Sequence, residues 1–126
     1  SFNLERLFID NNELENINVD KALFLKRLSL NKNKLTEINI TNYSIEDIDI
    51  GNNKIEKLIL NTPYIIKVQA LQNNIKELLI PSFDHIEYLI FNKKIQISDK
   101  NLYMLFQKFG LEPILIQNSE LANKLF

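Results

Sequence analysis

The sequence predicts a β-rich solenoid, a short stack of coils whose strands run parallel, one above another. Two periodicities and one repeated polar residue carry that prediction. Leu7, Leu28, Ile48, Val68 and Leu89 recur at a nearly constant spacing, and two positions after each stand Ile9, Leu30, Ile50, Ala70 and Phe91. A second apolar-x-apolar series, Ile17/Val19, Ile38/Ile40, Leu58/Leu60 and Leu78/Ile80, lies about midway between the members of the first. Asn12, Asn33, Asn53 and Asn73 follow the first series at a fixed offset, with Leu14, Leu35, Ile55 and Ile75 two positions further on. Self-similarity at a period of about 20 residues is the mark of a repeat architecture.

Each element follows from these positions. An apolar-x-apolar triplet alternates at period two, which makes a short strand with both apolar residues turned inward. A single unit cannot bury its own apolar face, so units stack and their strands pair in parallel, about 4.8 Å apart. Two triplets per unit predict two parallel sheets on opposite sides of a flattened coil. A unit of about 20 residues leaves no room for a full helix on the second side. The recurrent Asn falls where the chain bends inward after the first strand. A buried amide there can donate and accept for backbone groups that have no ladder partner, and stacked amides are expected to form an asparagine ladder.

Four segments carry a family resemblance: LERLFIDNNEL, LKRLSLNKNKL, IEDIDIGNNKI and IKVQALQNNI. They resemble the leucine-rich-repeat segment L-x-x-L-x-L-x-x-N-x-L, over roughly Leu4 to Phe91. The nested half-period is similar to that of the short bacterial and viral class, without the paired prolines found in secreted ubiquitin-ligase effectors. The resemblance implies about four to five leucine-rich-repeat coils.

Beyond Phe91 the pattern fades, with Lys94 and Gln96 at the Asn and aliphatic positions. Ser98 or Asp99 reads as an N-cap, and Leu102, Leu105, Phe106 and Phe109 share one face of a helix that Gly110 would stop. A short strand over Glu112–Ile116 and a second helix from Ser119 to Phe126 complete the tail. The expected organisation is a solenoid over 1–97 and a C-terminal α-helical cap over 98–126, in one domain. At the other end, Leu4 already lies inside a unit. Either further repeats precede it or the first coil's edge is a contact surface.

Composition limits the function. Fifteen Lys and Arg against 16 Asp and Glu give a formal charge of −1, and no basic block stands out, so nucleic acid is not an expected partner. No apolar run is long enough to span a bilayer, and no membrane partner is expected. The chain has no cysteine, which excludes disulfides, Cys-based metal sites and Cys nucleophiles. Extracellular leucine-rich-repeat domains of animals usually carry Cys-rich caps. The resemblance therefore implies a cytoplasmic protein, or a viral or bacterial effector in a host cytoplasm, and a removed secretion leader stays open.

In a solenoid, function sits on the outward positions of the strands. On the first sheet the expected rows are Arg6, Arg27, Asp47, Lys67, Tyr88 and Phe8, Ser29, Asp49, Gln69, Ile90. A third row follows, made of Asp10, Asn31, Gly51, Leu71 and Asn92. Alternating charge with aromatics at both ends suits a protein partner. On the second sheet the central row runs Asn18, Asn39, Ile59, Leu79. Ile59 and Leu79, with Ile66, would form an apolar patch that the C-terminal tail, a partner or a second copy covers.

Catalytic chemistry is not expected. His85 is the single histidine and reads as a surface turn residue without a positioned nucleophile or co-ligands. Glu46, Asp47 and Asp49 form a small acidic cluster, read as a solvated face that Arg27 and Lys67 neutralise from neighbouring coils. Two glycines, Gly51 and Gly110, cannot build a phosphate loop. The expectation is a protein–protein interaction module with neither enzyme activity nor cofactor. Its first-sheet binding face comprises Arg6, Phe8, Arg27, Asp47, Asp49, Lys67, Gln69, Tyr88 and Ile90. The alternatives are an inhibitor or effector that blocks a host or competitor enzyme, and the recognition fragment of a larger enzyme. A homo-oligomer would use Ile59 and Leu79.

Overall fold

The computed structural model describes residues 3–80, 85, 87–91 and 96–97. They form a parallel β-solenoid of about four turns, and no helix occurs among them. The first sheet stacks β1 (Arg6–Phe8), β2 (Arg27–Ser29), β4 (Asp47–Asp49), β6 (Lys67–Ala70) and β8 (Tyr88–Phe91) in that order. The second stacks β3 (Glu37–Thr41), β5 (Lys57–Asn61), β7 (Glu77–Leu79) and β9 (Gln96–Ile97). All neighbours pair in parallel with unbroken register: Leu7, Leu28, Ile48, Val68 and Leu89 lie in one column, and Ile38, Leu58, Leu78 and Ile97 in another. The second sheet thus continues one layer further than the second apolar series suggests. The expected helical cap over 98–126 lies outside the described residues.

The core is a column of aliphatic side chains. In the second coil Leu25, Leu28, Leu30, Leu35, Ile38 and Ile40 are at most 1% exposed, and the third coil repeats this with Ile45, Ile48, Ile50, Ile55, Leu58 and Leu60 at 0%. Each coil therefore has six inward positions. In the fourth coil the first of them is Ile65, which is buried. Ile66 is half-buried and enters the first sheet through its N–H bond to Glu46 O (2.8 Å), so it does not join the second-sheet patch.

Two expectations about the first coil need correction. Ile17 and Val19 repeat the apolar alternation, yet residues 16–19 form no strand, and the second sheet begins at β3. Side chains compete for the backbone there: Asn18 Oδ1 accepts from Asp20 N–H (2.9 Å), and Asp20 Oδ1 accepts from Thr41 N–H (3.2 Å). Asn12 is exposed, not buried, and bonds only the nearby carbonyls of Ile9 and Asp10.

The ladder asparagines act on backbone rather than on one another. Asn33 Nδ2 donates to Ile9 O (2.9 Å) in the coil before and to Leu30 O (3.0 Å) in its own, while its Oδ1 accepts from Leu14 N–H (3.1 Å). Asn53 and Asn73 repeat the pattern one and two coils on. A second buried amide, absent from the sequence-based expectations, lies at the opposite corner. Asn42 Nδ2 donates to Val19 O (2.9 Å) and Ala22 O (3.1 Å), and its Oδ1 accepts from the N–H groups of Ser44 and Ile45. One coil later the same place holds Thr62, whose buried hydroxyl makes no hydrogen bond among the described residues.

The residue before each ladder asparagine takes a left-handed backbone: Asn11 (φ 57°), Lys32 (58°), Asn52 (54°) and Gln72 (59°). The Cβ of any L-residue crowds the carbonyl in this conformation, and asparagine tolerates it better than lysine because its short polar side chain can hydrogen-bond the local backbone. The Lys32 side chain makes no hydrogen bond or ion pair among the described residues, while its N–H bonds Gly51 O (3.1 Å) in any case. Lys32→Asn is therefore expected to raise stability by about 0.5–1 kcal/mol. A urea titration checks this, and a loss of stability would count against the turn conformation.

Candidate interaction surface

The unbroken register of the first sheet builds the outward rows directly. Arg6, Arg27, Asp47, Lys67 and Tyr88 are aligned across five strands, and Phe8, Ser29, Asp49, Gln69 and Ile90 lie beside them. Tyr88 and Ile90 are placed by strand pairing alone. Phe8, Arg27, Leu28, Ser29, Asp47, Asp49, Lys67 and Gln69 line a shallow groove of about 300 Å³. Seven of the nine first-sheet residues expected to bind a partner are on the described surface, and all but Arg6 line the groove.

Charge in the groove is arranged unevenly. Asp49 is half-buried, and its Oδ1 accepts from Asn31 Nδ2 (3.1 Å) and from Gly51 N–H (3.0 Å), so the strand end is already tied down. Asp10 has the same role in the first coil, accepting from Ser29 Oγ (2.7 Å) and Asn31 N–H (2.8 Å). A Cβ at Gly51 would come within 2.8 Å of Gln69 Nε2 and 3.0 Å of Asn31 Nδ2, so the missing side chain lets these amides close over the strand end. Asp47 is different. It is half-buried, yet its carboxylate makes no hydrogen bond or ion pair among the described residues, and the Arg27 guanidinium beside it makes none either. The expected neutralisation of Asp47 by Arg27 is not formed. Glu46 also leaves the acidic cluster, since its carboxylate pairs with Lys26 at 3.5 Å.

The described ion pairs lie elsewhere: Lys26–Glu46, Lys34–Glu13, Lys57–Glu77 and Lys76–Glu56 each join successive coils at exposed positions. Each contributes little, because solvent screens it.

On the second sheet Asn39, Ile59 and Leu79 are aligned as expected. Leu79 is 46% exposed, Ile59 only half-buried, and Asn18 has no strand to join. A third surface lies outside the sequence-based expectations. The corner leading from the second sheet back to the first exposes Leu23 (74%), Phe24, Tyr43 and Tyr64 on successive coils, and Tyr64 stacks on His85 at 5.7 Å and 30°. His85 lies exposed on a turn, which agrees with its reading as a surface residue. These aromatics occupy two adjacent positions of the repeat rather than one, so no single column announces them.

Among the described residues no group of three or more His, Cys, Asp or Glu side chains could hold a metal ion, and no helix is long and apolar enough to cross a membrane. Comparison of the chain with protein-family models, curated proteins and solved structures gave no match.

Proposed function

We propose that the chain is a protein–protein interaction module, that its coils are leucine-rich repeats of the short type, and that the first sheet is its binding face. The observation that carries this reading is the groove itself. It brings an exposed phenylalanine, Phe8, together with Arg27 and Asp47, two opposite charges that the fold leaves without partners among the described residues. An aromatic anchor beside unpaired charges is the pattern of a binding surface. The ring supplies buried area on docking, and the charges discriminate among partners. Residues 98–126 belong to the same reading as a helical cap over the last coil.

The test is affinity capture from the source organism's lysate, or its host's, with the native chain beside Phe8→Ala/Asp47→Ala. Neither side chain supports the fold, so circular dichroism of the variant should be unchanged. A protein retained by the native chain and lost with the variant is the expected result, at a cost of about 2 kcal/mol or more in affinity. Equal retention by both would remove the first sheet as the binding face and turn attention to Ile59 and Leu79.

A further inference from the structure

The groove on the first sheet runs across the strands rather than along them. Its floor is the row Ser29, Asp49, Gln69, one residue from each of β2, β4 and β6, and all three are half-buried. Each is drawn down by a local bond. Ser29 Oγ donates to Asp10 Oδ1 (2.7 Å), Asp49 Oδ1 accepts from Gly51 N–H (3.0 Å), and Gln69 Oε1 accepts from Leu71 N–H (2.6 Å). Beside this floor stands the charged row Arg27, Asp47, Lys67, in register on the same strands. A segment seated in the groove therefore lies along the stack and meets a positive, a negative and a positive charge in turn.

Two physical constraints define such a segment. β2 pairs with β1 and β4, β4 with β2 and β6, and β6 with β4 and β8, so no ladder position is open to a chain lying on this face. The segment must satisfy its own backbone, which a helix does and a lone extended strand does not. Spacing gives the same answer. Stacked strands repeat at about 4.8 Å, so the three charges fall at about 0, 4.8 and 9.6 Å along the groove. Helix positions i, i+3 and i+7 share one face and lie at about 0, 4.5 and 10.5 Å. An extended segment turns the same face down only every ~6.8 Å, and is out of step by the second charge.

We infer, resting on the first sheet as the binding face, that the groove takes an amphipathic helix of a protein partner, and that the helix presents an acidic, a basic and an acidic residue at i, i+3 and i+7. The acidic residues meet Arg27 and Lys67. The basic residue meets Asp47, whose half-buried carboxylate makes no hydrogen bond or ion pair among the described residues. An apolar residue at i−4 reaches Phe8, which lines the groove one coil before Arg27. Complementary charge at three successive coils fixes the register of the helix as well as its choice.

Fluorescence anisotropy of the full chain tests this with a labelled, alanine-rich peptide of about 18 residues that carries Leu, Glu, Lys and Glu at i−4, i, i+3 and i+7, at low ionic strength. It should bind at least about tenfold more tightly than the peptide with Lys, Glu and Lys at the three charged positions. Asp47→Lys should reverse the middle preference, so that Glu at i+3 binds better than Lys. If circular dichroism shows Asp47→Lys unfolded, Arg27→Glu decides, and should prefer Lys at i. Equal binding of the two charge orders, or none at about 1 mM, overturns the inference. So does undiminished binding when prolines at two interior positions break the peptide's helix. If that happens while Phe8→Ala/Asp47→Ala still loses a protein that the native chain captures from lysate, the binding face stands and the helix alone falls. Equal capture by native chain and variant removes both.

Discussion

Ile48→Ala is expected to cost about 3–4 kcal/mol of folding stability, the upper range for truncating a buried aliphatic side chain. Ile48 is fully buried at the centre of β4, with Leu28 in the coil on one side and Val68 in the coil on the other. The size of the cost depends on how far the surroundings can close over the lost atoms. Here they can close very little, because the layer spacing is fixed by hydrogen bonds such as Leu30 N–H to Asp49 O (2.8 Å) and Ile50 N–H to Gln69 O (2.8 Å). Leu7→Ala, in the same column, should cost only about 1–2 kcal/mol, because Leu7 is half-buried and has a stacked coil on one described side only. Urea titrations of the two variants check the contrast. Equal losses would mean that the layers are not held at the spacing the stacking implies.

Asn53→Ala is the second large loss, about 2–4 kcal/mol. The amide donates to Leu30 O (3.0 Å), Ile50 O (3.1 Å) and Gly51 O (3.0 Å), and its oxygen takes Leu35 N–H (3.1 Å). Alanine leaves that N–H without its acceptor where no water replaces it, and a buried unpaired group costs about 1–3 kcal/mol by itself. Removing the donors also loosens the bend that lets coils two and three lie in register. Asn12→Ala removes only exposed local bonds and should change stability by less than about 0.5 kcal/mol. Thermal or urea unfolding of both separates the roles. A large effect at Asn12 would show that the turn needs its asparagine even where the amide bonds only carbonyls of its own coil.

These contrasts indicate which parts of the fold a reader of the sequence can recover. The two sheets were legible because the inward positions are filled again and again by aliphatic residues, nearly all leucine or isoleucine, and repetition fixes phase as well as type. The outward rows followed from phase alone. Ile17-Asn18-Val19 misled for a definite reason: it has the alternation of Ile38-Asn39-Ile40, but the side chains of Asn18 and Asp20 take backbone groups that a ladder would need. Asn42 was hidden because its successor, Thr62, breaks the column, and an amide can be recognised as structural only when it recurs. The left-handed turn residues were hidden for the opposite reason, since Asn11, Lys32, Asn52 and Gln72 share a conformation without sharing a chemistry. In the groove, the sequence placed Arg27 next to Asp47 correctly. It could not show that neighbours in register would stay beyond ion-pairing distance, which depends on where two long side chains point.

The constant register also says how such a chain can change length by inheritance. Duplicating or deleting one unit of about 20 residues in frame adds or removes one layer of about 4.8 Å, and every remaining residue regains a neighbour of the kind it had before. A shift of one residue within a strand would instead turn its inward side chains outwards. The chain's own irregularities mark where single insertions are harmless. The step from Val19 to Ile40 is one residue longer than the step from Leu25 to Ile45, so the extra residue lies between Val19 and Leu25. Likewise the step from Val68 to Leu89 is one residue longer than that from Leu60 to Ile80. Both surplus residues fall after the second apolar pair of a unit and before the next first-sheet strand, and in the first of these corners exposed Leu23 and Phe24 project from the stack. That corner is the seam at which the lineage of this protein can lengthen a loop without disturbing a layer.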